Sequence, residues 1–63
     1  MKREKLLKER KKRDLKQWEV AELIGISRIR YNRIEKGVRN PKLEEIESIS
    51  KLYGKPVEEL FFK

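Results

Sequence analysis

The chain has 63 residues, a net charge of +7 and neither cysteine nor histidine. A chain this short forms one domain and buries only about 60% of its unfolded surface, so we expect modest stability. Without cysteine, it has no disulfide framework and no thiolate zinc site. No apolar run approaches the ~18 residues of a membrane span, and the N-terminus has no apolar stretch like that of a signal peptide. We therefore expect a cytoplasmic location.

The positive charge is concentrated in the first part of the chain. Residues 1–40 contain 14 Lys and Arg against 6 Asp and Glu, a balance of +8, whereas residues 41–63 contain 4 against 5, a balance of −1. A basic segment favours an anionic partner such as nucleic acid, although most charge runs are solvated faces. The charge has to coincide with a binding motif before it indicates function.

Strong helix formers open the chain and predict a first helix over residues 2–12, with Leu6 and Leu7 as the inward candidates. Asp14 marks the break after this helix, and aspartate tolerates the left-handed conformation better than most residues. Glu9 occupies a position of the inner face at which an apolar residue is expected.

Two further short helices are predicted on either side of Gly25, from about 16 to 24 and from about 27 to 36. Gly25 permits a left-handed or close-packed turn, and the Ser27 hydroxyl is placed to cap the following helix. The apolar positions of the first of these helices are Val20, Ala21, Leu23 and Ile24. The second interleaves arginines with apolar residues, and such a pair of helices fits a DNA major groove.

A fourth helix is predicted from Asn40 as the cap and Pro41 as the first helical residue to about Tyr53. Pro56 begins a last short turn, VEELFF. The predicted buried face of the fourth helix consists of Leu43, Ile46, Ile49, Leu52 and Tyr53. No alternating apolar stretch indicates a strand, so we predict one all-α domain over residues 1–63.

The pattern resembles the Cro/repressor-type helix-turn-helix family, a five-helix, lambda-repressor-like DNA-binding domain with its motif at helices 2 and 3. The residues that carry the resemblance are Leu15, Gln17, Val20, Ala21, Gly25, Ile26, Ser27, Ile34, Glu35, Gly37, Asn40, Pro41, Leu43, Ile46, Glu59, Leu60 and Phe61. The resemblance extends from about residue 6 to 62 and implies an operator-binding regulator, most simply a repressor acting as a homodimer on double-stranded DNA.

The resemblance also implies roles for individual residues. Four residues of the third helix are expected to meet base edges: Arg28, Ile29, Asn32 and Arg33. Arginine can grip guanine, asparagine adenine, and isoleucine a thymine methyl group, although either arginine could instead bind phosphate. The expected phosphate contacts are Lys16, Gln17, Ser27, Arg30, Lys36 and Arg39. Arg30 could alternatively be a solvated charge.

Other residues are expected to hold the fold. Tyr31 is predicted to pack in the core with its hydroxyl reaching the surface, and Arg10 with Glu35 to form a structural ion pair. Lys16 replaces the usual serine or threonine cap of the second helix. Trp18 has three open interpretations: packing over helix 1, flanking the DNA backbone, or joining an interface.

The C-terminal residues Leu60, Phe61 and Phe62 carry more apolar surface than one short turn can hide, which indicates a dimer interface. Catalysis finds no support, because no histidine, cysteine or gathered pair of acids is present, and no cofactor, metal or small-molecule ligand is expected. The alternative function is a protein-interaction module, an antitoxin-like partner on the same helical scaffold.

Overall fold

The computed structural model describes residues 3–62 and contains five helices in this part of the chain: α1 (Glu4–Lys12), α2 (Gln17–Ile24), α3 (Arg28–Lys36), α4 (Leu43–Tyr53) and α5 (Val57–Phe61). No residue of 3–62 is in a strand. The prediction of an all-α, five-helix fold with its motif at the second and third helices is confirmed.

The end of α1 is set by a left-handed residue. Asp14 has φ +57°, and its N–H donates to the carbonyl oxygen of Lys11 at 3.0 Å. The Leu15 N–H then donates to the Arg10 carbonyl oxygen at 3.2 Å. These bonds satisfy carbonyl groups that the helix end leaves free, so the predicted break at Asp14 is confirmed.

The predicted start of α4 is wrong by two residues. Asn40 and Pro41 precede the helix, Lys42 is its extended N-cap residue, and the first helical residue is Leu43. The cause is the side chain of Glu45, whose Oε1 accepts the Lys42 N–H at 2.7 Å. Glu45 is the third helical residue, and its side chain therefore caps the N-terminus of α4. Asn40 instead accepts a bond from Arg3 Nη2 at 3.4 Å.

The core contains one or more residues from every helix. Its buried apolar members are Leu6, Val20, Ala21, Tyr31, Ile34, Ile49, Tyr53 and Leu60, with Leu15, Ile24, Ile26, Leu52 and Phe61 packed against them. Two predicted core positions are wrong: Leu23 is 63% exposed and Leu43 is 70% exposed. Both lie on the solvent side of their helices, because each helix has more apolar residues than its buried face holds.

Two tyrosines meet at the centre of the core. The Tyr31 and Tyr53 hydroxyl oxygens are 2.7 Å apart, and both side chains are almost fully buried. Tyr31 therefore packs in the core as predicted, but its hydroxyl bonds internally instead of reaching the surface. Burial raises the pKa of both phenols, most strongly that of Tyr31, so the pair is neutral at physiological pH.

Glu9 lies on the inner face of α1 because three cations surround it. Arg13 Nη1 approaches its carboxylate at 2.7 Å, with Lys12 at 3.7 Å and Lys55 at 4.0 Å. The Arg13 hydrogen bond lowers the pKa of Glu9 below its ordinary value against the opposing effect of burial. Arg13 also donates to the Tyr53 carbonyl oxygen at 2.6 Å and so ties α1 to the end of α4.

Candidate nucleic-acid interface

The turn between α2 and α3 depends on a left-handed glycine. Gly25 has φ +78°, and no atom lies within 4 Å of the position that a Cβ would take there. The residue is thus required by its backbone angle and not by close packing, which decides between the two interpretations of the sequence. The Ser27 Oγ accepts the Arg30 N–H at 3.1 Å, so the predicted cap of α3 is confirmed.

The outer face of α3 presents the residues that were predicted to meet base edges. Arg28 and Arg33 are exposed, and Ile29 is 60% exposed although it is apolar. Asn32 is half-buried, and it lines a surface cavity of about 280 Å³ with Gln17, Arg28 and Ile29. The inner face of the same helix is anchored in the core by Tyr31, Ile34 and Glu35.

A chain of polar contacts connects this cavity to the interior. Arg10 donates to both carboxylate oxygens of the buried Glu35, through Nε at 2.9 Å and Nη2 at 3.1 Å. The predicted structural ion pair is therefore present, and this hydrogen bonding raises the pKa of Arg10. Gln17 Nε2 donates to Glu35 Oε1 at 3.1 Å, and Asn32 Nδ2 donates to Gln17 Oε1 at 3.0 Å. Gln17 thus links the buried pair to Asn32 on the exposed helix.

Arg30 is held by an acid of α4. Its Nη2 donates to Glu45 Oε1 at 2.9 Å, and its Nε donates to Oε2 of the same carboxylate. The Arg30 contact is the main cause of the lowered pKa of Glu45. The sequence favoured a phosphate contact or a solvated charge for Arg30 and gave no sign of this ion pair. A phosphate contact by Arg30 stays a prediction, and it would have to use Nη1 or the second N–H of Nη2.

The loop after α3 is fixed by Arg3, a residue the sequence analysis did not single out. Its Nη1 donates to the Ile34 carbonyl oxygen at 2.7 Å and to that of Arg39 at 3.2 Å. Lys36 and Arg39 are exposed on either side of the Gly37 turn. Lys16 is likewise exposed at the start of α2. Of the predicted phosphate contacts, Lys36 is thus an exposed cation at the end of α3, and Arg39 is one on the loop that Arg3 braces.

The three C-terminal residues of the predicted dimer interface differ in exposure. Leu60 is 4% exposed and belongs to the core, while Phe61 is half-buried beneath the Arg3 guanidinium. Phe62 is 72% exposed. Of the three residues, Phe62 alone is exposed, and the dimer interface stays a prediction. Trp18 is 52% exposed and lines an open cavity with Leu15, Glu19, Glu22 and Leu23, so it is not covered by α1.

A helix-turn-helix family model matches residues 6–60 of this chain. The chain belongs to the helix-turn-helix family. The match includes the whole of α2, the Gly25 turn and α3. A helix-turn-helix places its second helix, here α3, in the major groove.

A curated relative is the cryptic phage CTXphi transcriptional repressor RstR of Vibrio cholerae. It is 49% identical over 51 residues, which are 81% of this chain and 46% of the relative. The helix-turn-helix chain thus spans about half the length of the curated relative that it matches. Over residues 3–62, no helix has the length and apolar character needed to cross a membrane. The same part of the chain contains no cluster of acidic side chains arranged to hold a metal ion.

Proposed function

We propose that this helix-turn-helix chain is a sequence-specific, double-stranded DNA-binding transcriptional repressor. The observation that carries the proposal is the outer face of α3, where Arg28, Ile29 and Arg33 are exposed beside Asn32. The inner face of the helix is locked in the core by Tyr31 and Ile34. A rigid helix with two unburied arginines is suited to bidentate contacts with guanine in the major groove.

Phosphate contacts would position this helix without reading sequence. Lys16, Lys36 and Arg39 are exposed cations that frame α2 and α3 in the chain. Gln17 and Ser27 stand at or just before the N-termini of these helices, where backbone N–H groups favour an anion. In this proposal, repression results from occupancy, because the bound chain blocks access of the polymerase to the operator.

We further propose that the chain binds as a homodimer through the region of Phe62. A single apolar side chain with 72% exposure follows the short helix α5, next to the buried Leu60. A two-fold dimer would present two α3 helices to half-sites about 34 Å apart, so the operator would be an inverted repeat. A protein that acts on the DNA in this way is expected in the cytoplasm. We assign it no catalytic residue and no cofactor. The relative named as a transcriptional repressor supports the same function.

The experiment is selection of bound duplexes from a randomised pool, followed by sequencing. The expected result is one motif with inverted symmetry. The affinity for that duplex should also fall with salt at a log–log slope of about 0.9 per neutralised phosphate. A pool that stays random, together with a binding curve that ignores salt, would favour the protein-interaction module instead.

The matched variants separate the reading face from general charge. Arg28→Ala with Arg33→Ala and Lys8→Ala with Lys51→Ala each remove two exposed positive charges. The arginine pair should abolish motif selection, while the lysine pair on α1 and α4 should preserve the motif. Equal effects of the two pairs would show that charge alone, and not the face of α3, accounts for binding.

A further inference from the structure

The polar chain behind α3 has a fixed direction. A carboxylate only accepts hydrogen bonds, and a guanidinium only donates them. Glu35 is 6% exposed, and both of its oxygens accept from Arg10. A third donor reaches the Oε1 atom from Gln17. The buried end of the chain is therefore purely an acceptor, and any amide that contacts it has to present nitrogen.

This requirement orients Gln17. Its Nε2 faces Glu35 at 3.1 Å, which leaves the carbonyl oxygen at the other pole of the same amide. That oxygen accepts from Asn32 Nδ2 at 3.0 Å. Turning the Gln17 amide around would set its oxygen against the carboxylate and its nitrogen against the nitrogen of Asn32. Both contacts would be lost, so one orientation of Gln17 is fixed by Glu35.

The orientation of Asn32 follows from that of Gln17. One N–H of Asn32 is used by Gln17, and the side chain retains Oδ1 and the second N–H. Asn32 is half-buried in the cavity that it lines with Arg28 and Ile29 on the exposed face of α3. Oδ1 and Nδ2 cannot exchange places without breaking the bond to Gln17. Asn32 thus presents an acceptor at a fixed place on the outer face.

We propose that Glu35, acting through Gln17, fixes the hydrogen-bonding polarity of Asn32, whose free acceptor and remaining donor together select adenine. This inference rests on the proposed function and deepens it. In the major groove, adenine and cytosine offer an exocyclic amino donor, while guanine O6 and thymine O4 are acceptors. Adenine alone offers both partners side by side, since its amino group can donate to Oδ1 while its N7 accepts the second N–H of Asn32. Glu35 and Gln17 are positioning residues, since neither has to touch the base.

The test compares the base preferences of variants by selection and sequencing on duplex pools. Asn32→Ala first identifies the base position that Asn32 reads, because only that position loses its preference. The wild-type chain should select adenine there by about tenfold or more over the other three bases. Gln17→Met keeps a side chain of similar size but removes the amide. The base preference of this variant at that single position should fall to near onefold. The positions read by the arginines should keep their base preferences.

Two further variants isolate polarity from affinity. Glu35→Gln introduces a donor at the buried end and should relax the same position; if it fails to fold by circular dichroism, Gln17→Met still decides. Arg39→Ala removes an exposed cation that takes no part in the Glu35–Gln17–Asn32 hydrogen bonds. It should weaken binding to all duplex sequences equally.

Three outcomes would overturn the inference alone: a base other than adenine at the Asn32 position, a preference that survives in Gln17→Met, or no change in Asn32→Ala. If the wild-type chain selects no motif at all, the proposed function itself is overturned.

Discussion

Two buried glutamates, Glu35 and Glu9, are each held by an arginine, yet they connect to different parts of the molecule. Glu35 binds Arg10 and passes through Gln17 to the outer face of α3. Glu9 binds Arg13, whose second nitrogen ends on the Tyr53 carbonyl oxygen at the end of α4.

The same ion-pair chemistry therefore has different consequences. The Glu35 cluster supports both the fold and the proposed reading face, whereas the Glu9 cluster ties the end of α1 to the end of α4. The surroundings of the partner cations differ as well. The side chain of Arg10 is 12% exposed, while those of Arg13, Lys12 and Lys55 are 32%, 59% and 35% exposed.

The largest expected effect is that of Glu35→Ala. The substitution leaves Arg10 buried without its carboxylate, and breaking a buried pair in this way costs about 3–5 kcal/mol. Urea denaturation at pH 7 measures the loss. Glu9→Ala is the matched control and should cost no more than about 1 kcal/mol, because its cations can return to water. A larger loss for Glu9→Ala than for Glu35→Ala would invert the comparison.

Tyr31→Phe tests the contact that lies between the two clusters. Tyr53 packs its ring 5.1 Å from the Arg13 guanidinium and shares its hydroxyl bond with Tyr31 on α3. Removing one hydroxyl leaves the other buried without a partner, which costs about 1–3 kcal/mol. The double variant Tyr31→Phe with Tyr53→Phe should recover part of this loss in the same denaturation assay. A double variant less stable than the single one would contradict a paired role.

The sequence could predict the helices, because caps and apolar spacing act within one turn. Gly25, Ser27 and Asp14 each determine the backbone at their own position, and the structure confirms all three. The predicted start of α4 at Asn40–Pro41 was wrong because a second local signal competes with it. Glu45, three residues after Lys42, caps the helix instead.

The polar contacts of the candidate site were less accessible to sequence reasoning. Gln17 with Asn32 and Arg30 with Glu45 are both 15 residues apart. Such pairs depend on how α2 and α4 pack beside α3, which residue spacing does not specify. The Arg10–Glu35 pair is also distant, and only the family resemblance predicted it. The reading face of α3 was likewise implied by the resemblance, and helical spacing agrees with it because Arg28 and Asn32 are four residues apart, as are Ile29 and Arg33.

Acid should weaken the fold through Glu9 and Glu45, the two glutamates whose pKa is lowered. Arg13 lowers the pKa of Glu9 and Arg30 that of Glu45, both from an ordinary 4.5. A lowered folded-state pKa gives stability that is fully present above the ordinary pKa and is lost as the pH falls from that value through the lowered pKa. The free energy of unfolding should therefore decline below about pH 4.5. Glu45→Gln should flatten part of this decline, and an unaltered profile would contradict the assignment.

Phe62→Ser should have the smallest effect on the folded monomer. The side chain is 72% exposed and is not part of the core, so the denaturation midpoint at low concentration should not change. Sedimentation equilibrium should instead show weaker self-association than in wild type. Leu60→Ser is the contrasting variant, since Leu60 is buried and its loss should unfold the chain. Unchanged self-association in folded Phe62→Ser would move the proposed interface elsewhere.

The most direct test of the account compares the affinity of the wild-type chain for its selected duplex and for a scrambled duplex at one salt concentration. If the outer face of α3 reads bases, the ratio should be about a thousandfold or more. Arg28→Ala with Arg33→Ala should bring it close to one, while Glu9→Ala, whose cluster does not connect to that face, should leave it unchanged. Equal affinity of the wild-type chain for the two duplexes would contradict the account.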